Sequence, residues 1–179
     1  MATSYSGDAA ERARDLFIVG ARNLHAVEKQ ALSIMSPQVA RLEHYPQLAD
    51  QLRLHIDETH GQVERLDQIL ADVGSGSSAL KDLALSISGS MAAAIHSVAG
   101  DEVLKNSFAN YAFEHFEIAS YKSLITMAED NGVTGAVSLL RTSLGEEQRM
   151  ADWLDQALPM ITRRYTELYA NEGAMTAKV

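Results

Sequence analysis

Residues 110–128 read Asn-Tyr-Ala-Phe-Glu-His-Phe-Glu-Ile-Ala-Ser-Tyr-Lys-Ser-Leu-Ile-Thr-Met-Ala. Tyr111, Glu114, Ile118, Tyr121, Ile125 and Ala128 fall at alternating steps of three and four. That period places them on one face of a helix. The face is apolar except at Glu114, and Glu117 shares the neighbouring face with Phe113, Tyr121 and Leu124. A long helix that turns carboxylates toward its own core side is the pattern from which the fold is read.

The same pattern recurs on both sides. Upstream, Phe17, Ala21, Leu24, Glu28, Ala31 and Met35 form a stripe that begins near Asp8 and is expected to end or bend at Pro37. Tyr45-Pro46 opens a second helix, because Pro suits a first turn. Its stripe is Leu48, Leu52, His55, Thr59, Gln62, Leu66 and Ile69. Downstream, Asn131-Gly132 predicts a left-handed C-terminal cap. A fourth stripe follows: Val133, Val137, Leu140, Leu144, Glu147, Ala151, Leu154 and Leu158. Pro159 is expected to end or kink that helix, and Ile161 to Tyr169 to add a short C-terminal helix. Between the hairpins, Gly74-Ser75-Gly76-Ser77-Ser78 reads as a loop, and Ala79 to Ala99 as a crossover helix.

No segment alternates as a strand does. The chain reads as all-α: two long hairpins joined by a crossover, which is the ferritin-like variant of the antiparallel four-helix bundle. The expected organisation is a flexible N-terminus over 1–7, a single bundle domain over 8–171 and a disordered tail over 172–179.

Composition narrows the chemistry. The 179 residues include no cysteine, which excludes disulfides, thiolate catalysis and iron–sulfur clusters. The formal net charge is -9 without a basic cluster, so no nucleic-acid partner is expected. No run of about 18 apolar residues occurs, so no membrane span is expected. Met1 to Glu11 lacks a charged-then-apolar leader, and a cytoplasmic protein is the expectation.

The inward carboxylates carry the functional reading. One buried carboxylate has a bland explanation, such as an ion pair or a helix end. Carboxylates on the core sides of four helices are harder to explain that way, because no Lys or Arg lies on the same stripes. Depth agrees. Glu117 and Glu147 each stand 15 residues from Gly132, or about 22 Å along their helices. In the first hairpin Glu28 stands 13 residues before Arg41, and His55 and Glu58 stand 14 and 17 after it. A cation pair would balance such a layer. Carboxylates with one imidazole suit iron or manganese. The expected metal residues are Glu28, His55, Glu58, Glu114, Glu117 and Glu147. Glu146, His115, Gln62 and Tyr121 are read as neighbours. The usual di-iron bundle carries Glu-x-x-His on two helices. This chain instead has His55-x-x-Glu58, Glu114-x-x-Glu117 and no His after Glu147.

Four blocks carry a family resemblance: Ala26-Val-Glu28-Lys-Gln30, His55-Ile-Asp-Glu58-Thr59 with Gln62-Val-Glu-Arg65-Leu66, Glu114-His-Phe-Glu117-Ile118-Ala with Tyr121, and Leu144-Gly-Glu146-Glu147. In this order, over roughly residues 10 to 158, the chain resembles the YciE/YciF-type ferritin-like family. The resemblance implies a rubrerythrin-related bundle, a homodimer, a role in bacterial stress and a metal site on Glu28, Glu58, Glu117 and Glu147, with His55 and Glu114 next. The leading expectation is a dinuclear iron centre that oxidises Fe(II) with O2 or peroxide, an oxidoreductase of ferroxidase or peroxidase type. Two alternatives stand beside it: a metal-free structural or interaction bundle, and a peroxidase or manganese-catalase-like enzyme at the same site.

Overall fold

The computed structural model describes residues 6–74 and 100–177. Four long helices form it: α1 (Asp8–Val39), α2 (Pro46–Asp72), α3 (Glu102–Asp130) and α4 (Thr134–Glu172), followed by a short α5 (Ala174–Ala177). Among the described residues there is no strand. The expected crossover helix over 79–99 lies outside the described residues.

Side-chain pairs fix the directions. Gln38 exchanges hydrogen bonds with Asn110, and Tyr121 bonds Glu28, so α1 and α3 are antiparallel. Glu58 meets Arg149, and Arg65 meets Ser143, so α2 and α4 are antiparallel as well. Arg14 donates to the Val73 carbonyl at one end of the bundle, while Arg41 pairs with Glu102 at the other. The end of α2 and the start of α3 therefore lie at opposite ends, as the hairpin–crossover–hairpin layout requires.

The α3–α4 turn closes as the sequence predicts. Gly132 sits at φ 67, Val133 N–H reaches the Ala128 carbonyl at 2.9 Å, and Gly132 N–H reaches that of Glu129 at 3.2 Å. These two bonds satisfy carbonyls that a helix end leaves open, and only a residue at home at positive φ makes them cheaply.

All the stripe residues named on α1 and α2 are buried. On α3 the buried face is broader than one stripe, because Asn110, Phe113, Glu117 and Leu124 join it. On α4 the buried line is Ala136, Leu140, Ser143, Glu147, Met150, Leu154, Ala157 and Ile161. That line is a strict four–three repeat, as in bundle packing. Val133, Val137, Leu144 and Leu158 stand at its edge. Ser143, a small polar residue, hid the repeat from a reading based on hydropathy.

Two sequence expectations are corrected. Pro37 and Pro159 both lie inside helices rather than ending them. The segment from Ile161 to Tyr169 is thus a continuation of α4, not a separate helix. Its buried Ile161 and Leu168 hold it to the body, and Pro159 faces solvent, where its missing N–H and its ring disturb no packing. Beyond Glu172, where disorder was expected, Gly173 at φ 90 turns the chain into α5. Ala177 is fully buried there, and its carbonyl accepts the Tyr45 hydroxyl at 2.5 Å.

Candidate metal centre

Three helices contribute carboxylates to one buried layer, and the fourth an imidazole. Glu28 of α1 and Glu147 of α4 are 0% exposed, Glu117 of α3 is 1% and Glu114 is 2%. His55 of α2 is the imidazole among them, at 1%. Each sits at a core position on the buried face of its helix, so helix geometry alone aims it inward.

His55, Glu114 and Glu147 come together most closely: one ligand atom from each lies within 4.8 Å of the others. His55 Nε2 is 3.2 Å from Glu114 Oε2 and 3.7 Å from Glu147 Oε2. Glu58 stands on the other side of the ring, with Oε2 3.3 Å from His55 Nδ1. Its Oε1 accepts from the exposed Arg149 at 2.8 Å. Glu58 is thus half-buried behind the imidazole, and Nε2 is left to face the layer. Burial opposes a charge on His55, but its hydrogen bonds to Glu114 and Glu58 outweigh that and hold its pKa well above the usual imidazole value. The bond to His55 and the one to Arg149 hold the Glu58 carboxyl below its ordinary value against partial burial.

The remaining carboxylates have fewer donors. The Tyr121 hydroxyl donates to Glu28 Oε1 at 2.6 Å. Gln62 donates through Nε2 to Glu147 Oε1, and to Glu146 Oε2 at 3.1 Å. Glu28 Oε2, Glu147 Oε2 and both oxygens of Glu117 are buried with no N–H donor, their nearest partners being one another's carboxyls (Glu28 with Glu117, Glu117 with Glu147, Glu147 with Glu114), while Glu114 Oε2 has the His55 ring at 3.2 Å. Burial raises the Glu28 carboxyl to about 7, while Tyr121 and His55 pull it back. Burial first, then the charges of Glu28, Glu147 and Glu114, push Glu117 well above the ordinary carboxylate range. Glu147 is raised in the same way by burial and by Glu28.

Other candidates separate cleanly. Glu146 is paired with Arg65, whose Nε also donates to Ser143 Oγ at 2.9 Å. Arg65 and Arg149 approach from beside the stripes rather than along them. His115 is exposed and stands edge-on to Tyr111, with ring centroids 4.6 Å apart. Thr59 spends its hydroxyl on the His55 carbonyl at 2.8 Å. The one signal in the sequence for the Arg65–Glu146 pair is the spacing Gln62-x-x-Arg65, which puts both side chains on adjoining turns toward α4.

A buried carboxylate without a donor costs several kcal/mol or takes up a proton. His55, Glu114 and Glu147, with ligand atoms within 4.8 Å of one another, are a donor set that a hard or borderline cation accepts. The residues present therefore fit a metal.

A family model described as "Domain of unknown function (DUF892)" matches residues 12–167. Protein YciF of Escherichia coli (strain K12) is 32% identical over 139 residues, spanning 75% of this chain and 82% of YciF. The crystal structure of the E. coli stress protein YciF superposes with a TM-score of 0.63 at 29% identity, over 82% of this chain and 94% of that one. A crystal structure of a protein from Xanthomonas campestris pv. campestris superposes with a TM-score of 0.74 at 27% identity, over 88% and 99%.

Proposed function

We propose, from the premise that this chain belongs to the DUF892 family and is a homologue of the stress protein YciF, that its buried layer binds a dinuclear metal centre, iron in the first place, in a stress-related oxidation of Fe(II) by O2 or peroxide. The observation that carries this is the buried group of His55, Glu114 and Glu147, whose ligand atoms lie within 4.8 Å of one another, with the buried carboxyls of Glu28 and Glu117 in the same layer. His55, Glu114 and Glu147 would hold the metal, with Glu28 and Glu117 as the further carboxylate ligands. When bound, two ferrous ions supply two electrons, enough with two protons to reduce one peroxide to two waters.

The chain's own residues do the rest. Glu58 fixes the His55 ring through Nδ1, so that Nε2 is the atom presented. Gln62 holds Glu147 by one oxygen and Tyr121 holds Glu28 by one oxygen, and each leaves its Oε2 available. The surrounding apolar core excludes water from the layer. Glu58, 20% exposed, connects the imidazole to solvent.

Anaerobic Fe(II) titration followed by oxidant tests the proposal. About two metals per chain are expected, with binding lost in Glu28→Ala and Glu147→Ala. Unchanged binding in both variants would sink it. Manganese with peroxide is the variant reading of the same site. A metal-free interaction bundle is the second reading, and the raised carboxyls of Glu28, Glu117 and Glu147 favour it, since protonated pairs would close the layer without a cation. It expects melting to be unchanged by chelators.

A further inference from the structure

Arg65 of α2 stands at the rim of the buried layer, with its side chain 21% exposed, and its guanidinium is spent in two directions. One terminal nitrogen pairs with Glu146 Oε2, and Nε donates to Ser143 Oγ at 2.9 Å. Each partner leads inward. Glu146 Oε2 also accepts from Gln62 Nε2 at 3.1 Å, and the same Gln62 nitrogen donates to Glu147 Oε1. Ser143 in turn donates to the oxygen of Tyr121, whose own proton goes to Glu28 Oε1 at 2.6 Å. The other acceptor beside Ser143, the Leu139 carbonyl, is 3.5 Å away. One arginine therefore reaches a carboxylate of α4 and a carboxylate of α1 through two arms.

The arms decide orientation. Gln62 is fully buried, and its Oε1 has no donor among the described residues. The carboxylates of Glu146 and Glu147 alone fix which way its amide points, and Arg65 holds the first of them. Turned over, the amide would set its oxygen against both. On the other arm, Ser143 occupies the Tyr121 oxygen, so the phenol stays turned to donate to Glu28. We infer that Arg65 is a positioning residue of the metal centre: it aims Glu147 through Glu146 and Gln62, and Glu28 through Ser143 and Tyr121. The inference rests on the metal-binding reading above and adds the anchor that orients two of the ligands. A through-space effect has the opposite sign. A cation beside the layer repels a metal ion, so loss of the charge alone would tighten binding. Loss of orienting hydrogen bonds weakens it.

The test titrates Mn(II) calorimetrically into the intact protein and into Arg65→Met. Affinity is expected to fall about 10–100-fold. Arg65→Lys should regain part of the loss, because an ammonium can pair with Glu146 but has no fixed fork to serve Ser143 as well. Arg65→Met combined with Glu146→Leu leaves the net charge unchanged and no carboxylate without its cation, and it should bind as weakly as the single variant. In chelator, the side-chain amide signals of Gln62 in the NMR spectrum should shift in Arg65→Met. Unchanged or tighter Mn(II) binding by Arg65→Met, wild-type affinity in the double variant, or unmoved Gln62 signals would overturn the inference and leave the metal reading standing. Failure of the wild type to bind Mn(II) would overturn the metal reading and the inference with it.

Discussion

Tyr121 and Glu28 stand 93 residues apart on antiparallel helices, and the phenol donates to the carboxylate at 2.6 Å where neither side chain sees solvent. The bond ties α1 to α3 at the level of the buried layer. It also supplies one of the few donors in a layer crowded with acceptors.

Removing that donor has a defined cost. Tyr121→Phe keeps the ring and leaves Glu28 Oε1 unsatisfied. A loss of about 1–3 kcal/mol is expected at pH 8, where a charged Glu28 needs the donor most. Denaturant unfolding at pH 8 and pH 5 should show a smaller gap at the lower pH. Equal stability of the two proteins at pH 8 would show that the bond carries nothing.

The carboxyls set a pH dependence for the metal-free protein. Burial pushes the Glu28 carboxyl up to about 7 in the folded protein, from an ordinary 4.5. The folded state therefore binds more protons than the unfolded state between these values, and stability falls as pH rises. The contribution is fully present below about 4.5, is lost through about 7, and amounts to ~3 kcal/mol. Glu117 and Glu147 are raised in the same direction, and Glu58 is lowered and runs the other way. Unfolding free energies in chelator should decline from pH 5 to 7.5, and Glu28→Gln should flatten the slope. A rising curve would contradict the assignment.

Much of this was legible in the sequence because helices enforce a short period. His55, Glu114 and Glu147 could each be placed on a core stripe from periodicity, although hairpin depth paired Glu147 with Glu117 and not with Glu114. Glu58 was harder. Its spacing from His55 fixes the turn on which it lies, but not the side of the imidazole that it takes. Arg149, on α4, settles that by pairing with it across the helices. Arg65 and Ser143 were illegible for a related reason: their partners come from another helix, and hydropathy carries no information on such pairs. Pro159 misled because the local rule against Pro in helices is weaker than the packing of Ile161 and Leu168 beyond it.

Pro159 offers a test of that balance. An exposed Pro in a helix interior removes one backbone bond and costs up to about 3 kcal/mol relative to Ala. Pro159→Ala should raise the melting temperature, with a gain of roughly 1–3 kcal/mol in denaturant unfolding. A loss instead would mean that a bend at Pro159 is needed to seat Ile161 and Leu168.

Glu58 should act on metal through His55. Glu58→Gln preserves the shape and removes the charge behind Nδ1, so the imidazole becomes a poorer ligand. Metal affinity is expected to fall about 10–100-fold with the helical content unchanged. Isothermal titration of both proteins with Mn(II) would measure it. Undiminished affinity would leave Glu58 only its surface pair with Arg149.

Glu117 separates stability from binding most sharply. It is buried among Glu28, Glu114 and Glu147, whose charges all oppose its own. Glu117→Gln is nearly isosteric, carries no charge and gains an amide that can donate to those carboxylates. In chelator at pH 8 the variant should be more stable than the wild type by about 1–4 kcal/mol, as when a buried charge without compensation is replaced. With saturating Mn(II) the order should reverse, since a ligand that binds only the folded state adds about 2.7 kcal/mol at a hundredfold excess over its dissociation constant, and the variant would gain less of it. Paired melts with and without metal measure both effects on one sample. A variant that is less stable in chelator would mean that Glu117 is already compensated by shared protons. One that is equally stabilised by metal would mean that Glu117 does not face it.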